Sequence, residues 1–353
     1  MRTILALTAA VLAGHGAYAQ SAERKSTEEV YHNITALKGT PADQLNATMQ
    51  IMAVSLGVNC EFCHVQGKMD ADDKGPKKTA RSMIAMTMAI NKDNFRGQTQ
   101  VSCYSCHRGS ARPVAIPPVL ESDAMPARPA AAASAPAGER PTADAVLEKY
   151  VTAVGGADAM KKVTSREMTG KILTNGSERP ISVLTKAPNK RITITDMGGS
   201  QSFTAFDGTA GWMGSTGRPM RDMSVEESAS AALDAEFYPV LRLKELYQRV
   251  GVGRPETIGD AQCQTLMASS PGKPMARFYF DARTGLLVRM LRYSDTPVGR
   301  MPVQIDYADY REEDGVKIPF RWTLSRPNGR FTIQIAAMKD NTSIDDAKFE
   351  KPR

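Results

Sequence analysis

Apolar side chains early in the chain recur with the spacing of a helix, whereas those in its second half alternate with the spacing of a strand. Leu45, Met49, Met52 and Leu56 fall at i, i+4, i+7 and i+11, one face of a helix predicted over Pro41 to Leu56. Pro41 suits a first turn whose N–H has no partner, and Asp43 suits the positive end. A shorter helix is expected over Thr27 to Leu37, ended by Gly39-Thr40-Pro41, and a third over Lys77 to Asn91. Between the last two, Gly57-Val58-Asn59 breaks the pattern, and residues 65–76 read as a charged loop.

From residue 142 onward two short helices are expected around Gly155-Gly156, and then the period changes to two. Strands are expected at Ser165–Thr174, Ile181–Thr185, Arg191–Thr195 and Gln201–Phe206, with a helical stretch near Val225–Val250. Hairpins follow: Arg277–Phe280 with Leu286–Tyr293, then Gln304–Tyr310 with Ile318–Leu324. Phe331, Ile333 and Ile335 alternate as a half-buried strand does. The expected fold is two domains: a mainly α domain, then an α+β domain with a curved antiparallel, half-barrel-like sheet and helices against one face.

Composition sets the boundaries. Residues 1–19 read as a signal peptide, with Met1-Arg2, an apolar run from Ile4 to Ala13 and the small-x-small site Ala17-Tyr18-Ala19. Residues 20–112 form the first domain and 142–353 the second. Residues 113–141 hold seven prolines spaced by alanines and form an extended linker. The mature chain carries no run long enough to span a membrane, so the protein is expected in the periplasm, soluble or peripheral. The net charge of +7 is spread along the chain and aids docking to an acidic redox partner. It forms no nucleic-acid footprint, because no Lys/Arg cluster sits on a reading element.

Chemistry concentrates in the first domain. Cys60-Glu61-Phe62-Cys63-His64 and Cys103-Tyr104-Ser105-Cys106-His107 are two copies of the C-x-x-C-H signature of covalent haem attachment. Two thiols at that spacing reach the two vinyl groups along one porphyrin edge, and the adjacent histidine reaches the iron. A zinc site or a pair of disulfides would use the same cysteine spacing, but neither needs a histidine directly after each pair. Two haem c groups are therefore expected. Of the four histidines, His15 lies in the signal peptide and His64 and His107 are proximal ligands, leaving only His32. Methionine is then the natural second axial ligand, from Met49 and Met52 before the first motif or Met83, Met86 and Met88 before the second. The same methionines also suit core packing.

Residues 46–110 resemble the cytochrome subunit of photosynthetic reaction centres and related multihaem cytochromes. The matching segments are Met49-Gln50-Ile51-Met52, Ser55-Leu56-Gly57-Val58-Asn59 with the first motif, Thr79-Ala80-Arg81-Ser82-Met83-Ile84-Ala85-Met86, and Val101-Ser102 with the second motif and Arg108-Gly109. The resemblance implies units of helix, turn and haem motif in which the helix delivers a methionine: Met49 to the first haem and Met83 to the second, with Met52 and Met86 in reserve. That family carries four motifs in two pairs, while this chain carries one pair, and no histidine lies between His64 and His107. The second domain resembles periplasmic lipoprotein-carrier half-barrels. The cues are Phe206-Asp207-Gly208 with Gly211-Trp212, Phe280-Asp281 with Thr284-Gly285-Leu286, and Ile344 to Phe349.

The implied function is one-electron transfer between ferric and ferrous haem, with a partner that is a membrane electron-transfer complex or a photosynthetic reaction centre. No catalytic constellation is visible. A carrier whose second domain binds a lipid or quinone-like molecule, with the haems as redox sensor, is one alternative. A dihaem peroxidase is another. Cys263 is expected to be a buried, inert strand thiol, and the acidic group Asp306, Asp309, Glu312, Glu313 and Asp314 a solvated hairpin end.

Overall fold

The computed structural model describes residues 25–113, 141–271 and 275–352. The expected signal peptide and nearly all of the expected linker lie outside the described residues.

The N-terminal region is helical. α1 (Thr27–Val30) is followed by α2 (Gln44–Leu56), a 3-10 turn at Cys60–Phe62, α3 (Gly75–Phe95) and α4 (Cys103–His107). The first helix stops at Val30, short of the expected Leu37, because a turn with Asn33 at φ 58° takes over. That turn is held from a distance: the Asn33 amide donates to the Asp70 carbonyl at 2.6 Å, and Arg81 donates to the Asn33 carbonyl at 3.1 Å. The third helix is longer than Lys77–Asn91, starting with Pro76 in its first turn and ending at left-handed Arg96.

The remainder is one antiparallel sheet with helices against it. Two helices lead in, α5 (Ala143–Ala153) and α6 (Ala157–Lys162). The first strands are β1 (Ser165–Thr174), β2 (Ser177–Lys186), β3 (Lys190–Asp196), β4 (Gln201–Phe206), β5 (Gly211–Ser215) and β6 (Arg221–Asp222). Then come α7 (Val225–Ala235), α8 (Leu243–Leu246), β7 (Arg249–Val252), β8 (Glu256–Ile258), β9 (Ala261–Ser269) and β10 (Met275–Asp281). The last are β11 (Leu287–Thr296), β12 (Gly299–Glu313), β13 (Val316–Arg326) and β14 (Gly329–Asp340). The expected helical stretch over 225–250 is thus two helices and the edge strand β7.

The strand order is β6-β5-β4-β3-β2-β1-β14-β13-β12-β11-β10-β9-β7, with β8 on β9. First and last strands meet in the middle, and the two ends of the path do not pair, so the sheet is open. It curls, because β2 and β3 on one wing line the same cavity as β12 and β13 on the other. Local chemistry sets the hairpins: Asp314-Gly315, both at positive φ, join β12 to β13 as a primed turn requires. The concave side holds α5 and the residues after α7, with Tyr150 meeting Phe280 edge-on at 5.5 Å. At the C-terminus Phe349 is fully buried, and its carbonyl accepts from the Trp212 indole at 2.7 Å.

One contact between the two regions is made by a hairpin tip. The β11–β12 hairpin puts Val298 and Met301 into the small N-terminal core beside Leu37, Ile51, Ile84 and Cys103. Gly299 lies so close that a Cβ there would come 2.7 Å from the end of Ile51.

Candidate functional site

The backbone at the end of α2 presents the first motif. Gly57 takes a left-handed conformation (φ 66°) that ends the helix, and its Cα faces the Gly109 carbonyl so closely that a Cβ would sit 2.1 Å from that oxygen. Gly109 N–H donates to the Ser55 carbonyl at 2.8 Å, so the residues just after the second motif are laced to the helix just before the first. Asn59 then caps the 3-10 turn, its Oδ1 accepting from Phe62 N–H, and the turn carries Cys60 and leads to Cys63 and His64.

The second motif is held by Asn91, a buried α3 residue. Its amide donates to the Val101 carbonyl at 2.7 Å, and its Oδ1 accepts from the N–H groups of Gln100 and Val101. That clamp fixes the approach to α4, where Cys103 is buried in the core and Cys106 is exposed. None of the five cysteines is joined in a disulfide. Cys263 lies on β9, 1% exposed, with burial raising its thiol.

Both motif histidines are oriented the same way. His64 Nδ1 lies 2.8 Å from the Met69 carbonyl, and His107 Nδ1 lies 2.9 Å from the Ser110 carbonyl. A carbonyl oxygen can only accept, so Nδ1 is the donor in each ring and Nε2 is the nitrogen turned away from that contact. This is the tautomer and anchoring that a metal-ligating imidazole needs. Lys77, buried on α3, donates to the Met69, Asp70 and Ala71 carbonyls at 3.0, 2.9 and 2.8 Å, so a cation shares the carbonyl that anchors His64. Lys74 Nζ donates to the Glu61 carbonyl from the same loop. Neither lysine is marked by a sequence pattern; a buried lysine reads like any other helix cation until its carbonyl partners are seen.

The candidate methionines divide by environment. Met49 and Met52 on α2 are half-buried against the N-terminal core, whereas Met83 and Met86 on α3 are exposed, as is Met88. His32 is exposed in the turn after α1, and His15 lies outside the described residues. Exposed apolar surface gathers here too. Phe62, Met69, Met83, Met86 and Tyr104 are all more than a third exposed and surround the two motifs in sequence, an apolar skin that a large flat macrocycle would cover. The donor set and this surface fit a haem at each motif.

The acidic group of the β12–β13 hairpin is not a metal centre. Asp306 pairs with Arg289 and Asp309 with Arg311, and Glu312 and Asp314 are exposed. Among the described residues no helix is long and apolar enough to cross a membrane.

A family model described as the photosynthetic reaction centre cytochrome C subunit matches residues 2–146. The Thermochromatium tepidum photosynthetic reaction center cytochrome c subunit is 36% identical over 89 residues, covering 24% of this chain and 22% of the relative. The Roseobacter denitrificans subunit of the same description is 32% identical over 111 residues, covering 28% and 30%. The chain therefore spans less than a third of the length of these curated relatives. Among solved structures, a LolA superfamily protein from Nitrosomonas europaea aligns over 60% of this chain and 98% of its own, at 13% identity and a TM-score of 0.43. A DUF1329 family protein from Desulfovibrio piger aligns over 59% and 96%, at 15% identity and a TM-score of 0.40. Over its N-terminal region this chain is similar to the photosynthetic reaction centre cytochrome c subunits.

Proposed function

We propose that the protein is an exported c-type cytochrome that passes single electrons through two covalently bound haems in its N-terminal region. One observation carries the reading: two Cys-x-x-Cys-His turns whose histidines each donate from Nδ1 to a backbone carbonyl, leaving Nε2 free. When bound, haem iron supplies a one-electron ferric/ferrous couple. Cys60 and Cys63 hold one group by thioether bonds and Cys103 and Cys106 the other; His64 and His107 are the proximal ligands. Met49 and Met83 are the proposed second ligands, with Met52 and Met86 in reserve. The carbonyls of Met69 and Ser110 fix the imidazole planes and tune their basicity. The N-terminal stretch supports export to the periplasm, and the partner is a membrane electron-transfer complex of the reaction-centre type.

The test is the full chain made in a host that matures c-type cytochromes. Mass spectrometry and the pyridine haemochrome assay should find two haems per chain, and a redox titration should resolve two one-electron steps. Met49→Ala should lower one potential and abolish one methionine-to-iron charge-transfer band. A chain that matures without covalent haem sinks the reading; an unchanged spectrum in Met49→Ala sinks the axial assignment.

A further inference from the structure

The two Cys-x-x-Cys-His motifs are braced differently, and the difference is one of charge. At the second, Asn91 braces the approach with a neutral amide, and among the described residues the Ser110 carbonyl accepts from His107 alone. At the first, the Met69 carbonyl accepts from two groups: the ring N–H of His64 at 2.8 Å and the Lys77 ammonium at 3.0 Å. The same ammonium donates to the Asp70 and Ala71 carbonyls at 2.9 and 2.8 Å, so all three of its N–H groups are used and its position is fixed. Lys77 is only 9% exposed.

Bracing alone does not call for a cation. Lys77 sits in the first turn of α3, where the positive end of the helix disfavours positive charge, and burial disfavours it again. Neutral amides do similar work in the same region: Asn33 donates to the Asp70 carbonyl at 2.6 Å, and Asn91 holds the segment before α4. Nor is the charge cancelled. Asp72 lies 3.2 Å from Lys77 but also pairs with Arg81 at 2.8 Å, so two cations share one carboxylate. The whole segment 70–81 sets Lys74, Lys77, Lys78 and Arg81 against Asp70, Asp72 and Asp73, which leaves one positive charge behind His64.

We infer that Lys77 is a positioning residue for electron transfer, one that raises the potential of the first haem through the Met69 carbonyl and His64 and so separates the two couples. The inference rests on the two-haem reading above, and two effects of the same sign carry it. A cation on the Met69 carbonyl leaves that oxygen a poorer acceptor for the His64 N–H, so the imidazole is a weaker electron donor to iron. The buried charge itself also favours the oxidation state of lower positive charge. Both favour ferrous over ferric. Among the described residues no cation donates to the Ser110 carbonyl, so the second motif lacks the first effect altogether.

Spectroelectrochemical titration of the full-length, haem-matured protein tests this with two variants that push in opposite directions. Lys77→Met removes the cation at nearly constant side-chain length. At a fixed potential it should shift one couple about fivefold toward ferric, about 40 mV at 59 mV per tenfold, and the other by about twofold or less. Asp72→Asn leaves Lys77 on its three carbonyls but removes its counter-charge, and should move the same couple about twofold or more toward ferrous. Mere loosening of the loop would move that couple the same way in both variants. Equal shifts of both couples in Lys77→Met, no shift, or shifts of one sign in the two variants overturn the inference and leave the two-haem reading standing. If Lys77→Met does not mature, Asp72→Asn decides: a couple that stays in place or moves toward ferric overturns the inference. Wild-type protein without covalent haem in the pyridine haemochrome assay sinks the two-haem reading, and the role of Lys77 with it.

Discussion

The two regions solve the problem of a core in opposite ways. The sheet region buries apolar side chains in several clusters, including Phe278, Phe280, Leu266, Val183 and Val316, all nearly inaccessible. The helical region, among its described residues, contributes four buried hydrophobic side chains: Leu37, Ile51, Ile84 and Cys103. It keeps its largest apolar groups near the surface and borrows Val298 and Met301 from the other region. A domain of that size with so thin a core is marginal unless something else holds it. Backbone lacing, polar clamps and covalent cofactors are the means by which small redox domains supply the difference, and this region has the first two on view. Rigidity in the sheet region comes from packing, whereas in the helical region it comes from a few specific contacts, each of which a single substitution can remove.

The sharpest break is at Gly57. A side chain there meets the Gly109 carbonyl and must also adopt a left-handed backbone, which costs about 1–2 kcal/mol in itself. With the clash added, Gly57→Ala should destabilise the helical region by about 3 kcal/mol or more, lowering its thermal midpoint by more than about 10 °C. Both tryptophans, Trp212 and Trp322, belong to the sheet region, so their near-ultraviolet signal reports that region alone. With the proposed haems bound, visible absorption would follow the other. If both signals fall together, the molecule is one cooperative unit and the contrast between regions fails.

A milder change sharpens the same contrast. Val298 is fully buried, yet the core it fills belongs largely to the helical region. Val298→Ala should cost about 1–2 kcal/mol through the cavity it leaves. The loss should be read in the visible signal first, with the tryptophan transition moving less. A tryptophan transition that moves alone would show that the hairpin tip stabilises only its own sheet.

These contacts also mark where the sequence could be read and where it could not. The motif cysteines and histidines are legible because haem attachment is a local rule, satisfied within five consecutive residues. Phe331, Ile333 and Ile335 are legible because a strand with one buried face alternates, and β14 does so there. By contrast the extent of β9 is not legible although Cys263 is expected on a strand, because Cys263, Thr265, Leu266 and Ala268 are buried with no clean alternation. The first helix is overestimated because its stop depends on Asp70 and Arg81, far along the chain. Nothing in Thr296-Pro297-Val298-Gly299 distinguishes a hairpin that wedges into another region from one that points to solvent. Long-range polar partners leave no period in a sequence.

The smallest expected effect lies in the loop between the first motif and α3, where polar clamps replace packing altogether. Asp72 pairs with Arg81 at 2.8 Å and lies 3.2 Å from Lys77. Those partners, Arg81 first, hold its carboxyl well below the ordinary range. The folded value is therefore lower than the unfolded value of about 3.9, so the contribution is complete above that pH. It is lost as the pH falls through the folded value. Acidification below about pH 4 should lower the hydrogen-exchange protection of residues 65–74, relative to the intrinsic rate at each pH, before the sheet strands respond. The same acid also reaches Glu28, whose carboxylate accepts from Gly39 N–H, so Asp72→Asn should remove only the part of the response that belongs to this loop. In that variant, protection at 65–74, relative to the intrinsic exchange rate at each pH, should already be low at neutral pH and nearly independent of acid. Equal acid dependence in wild type and variant would mean that Lys77 and its three carbonyls hold the loop without Asp72, and that the clamp behind His64 is a cation on backbone oxygens alone.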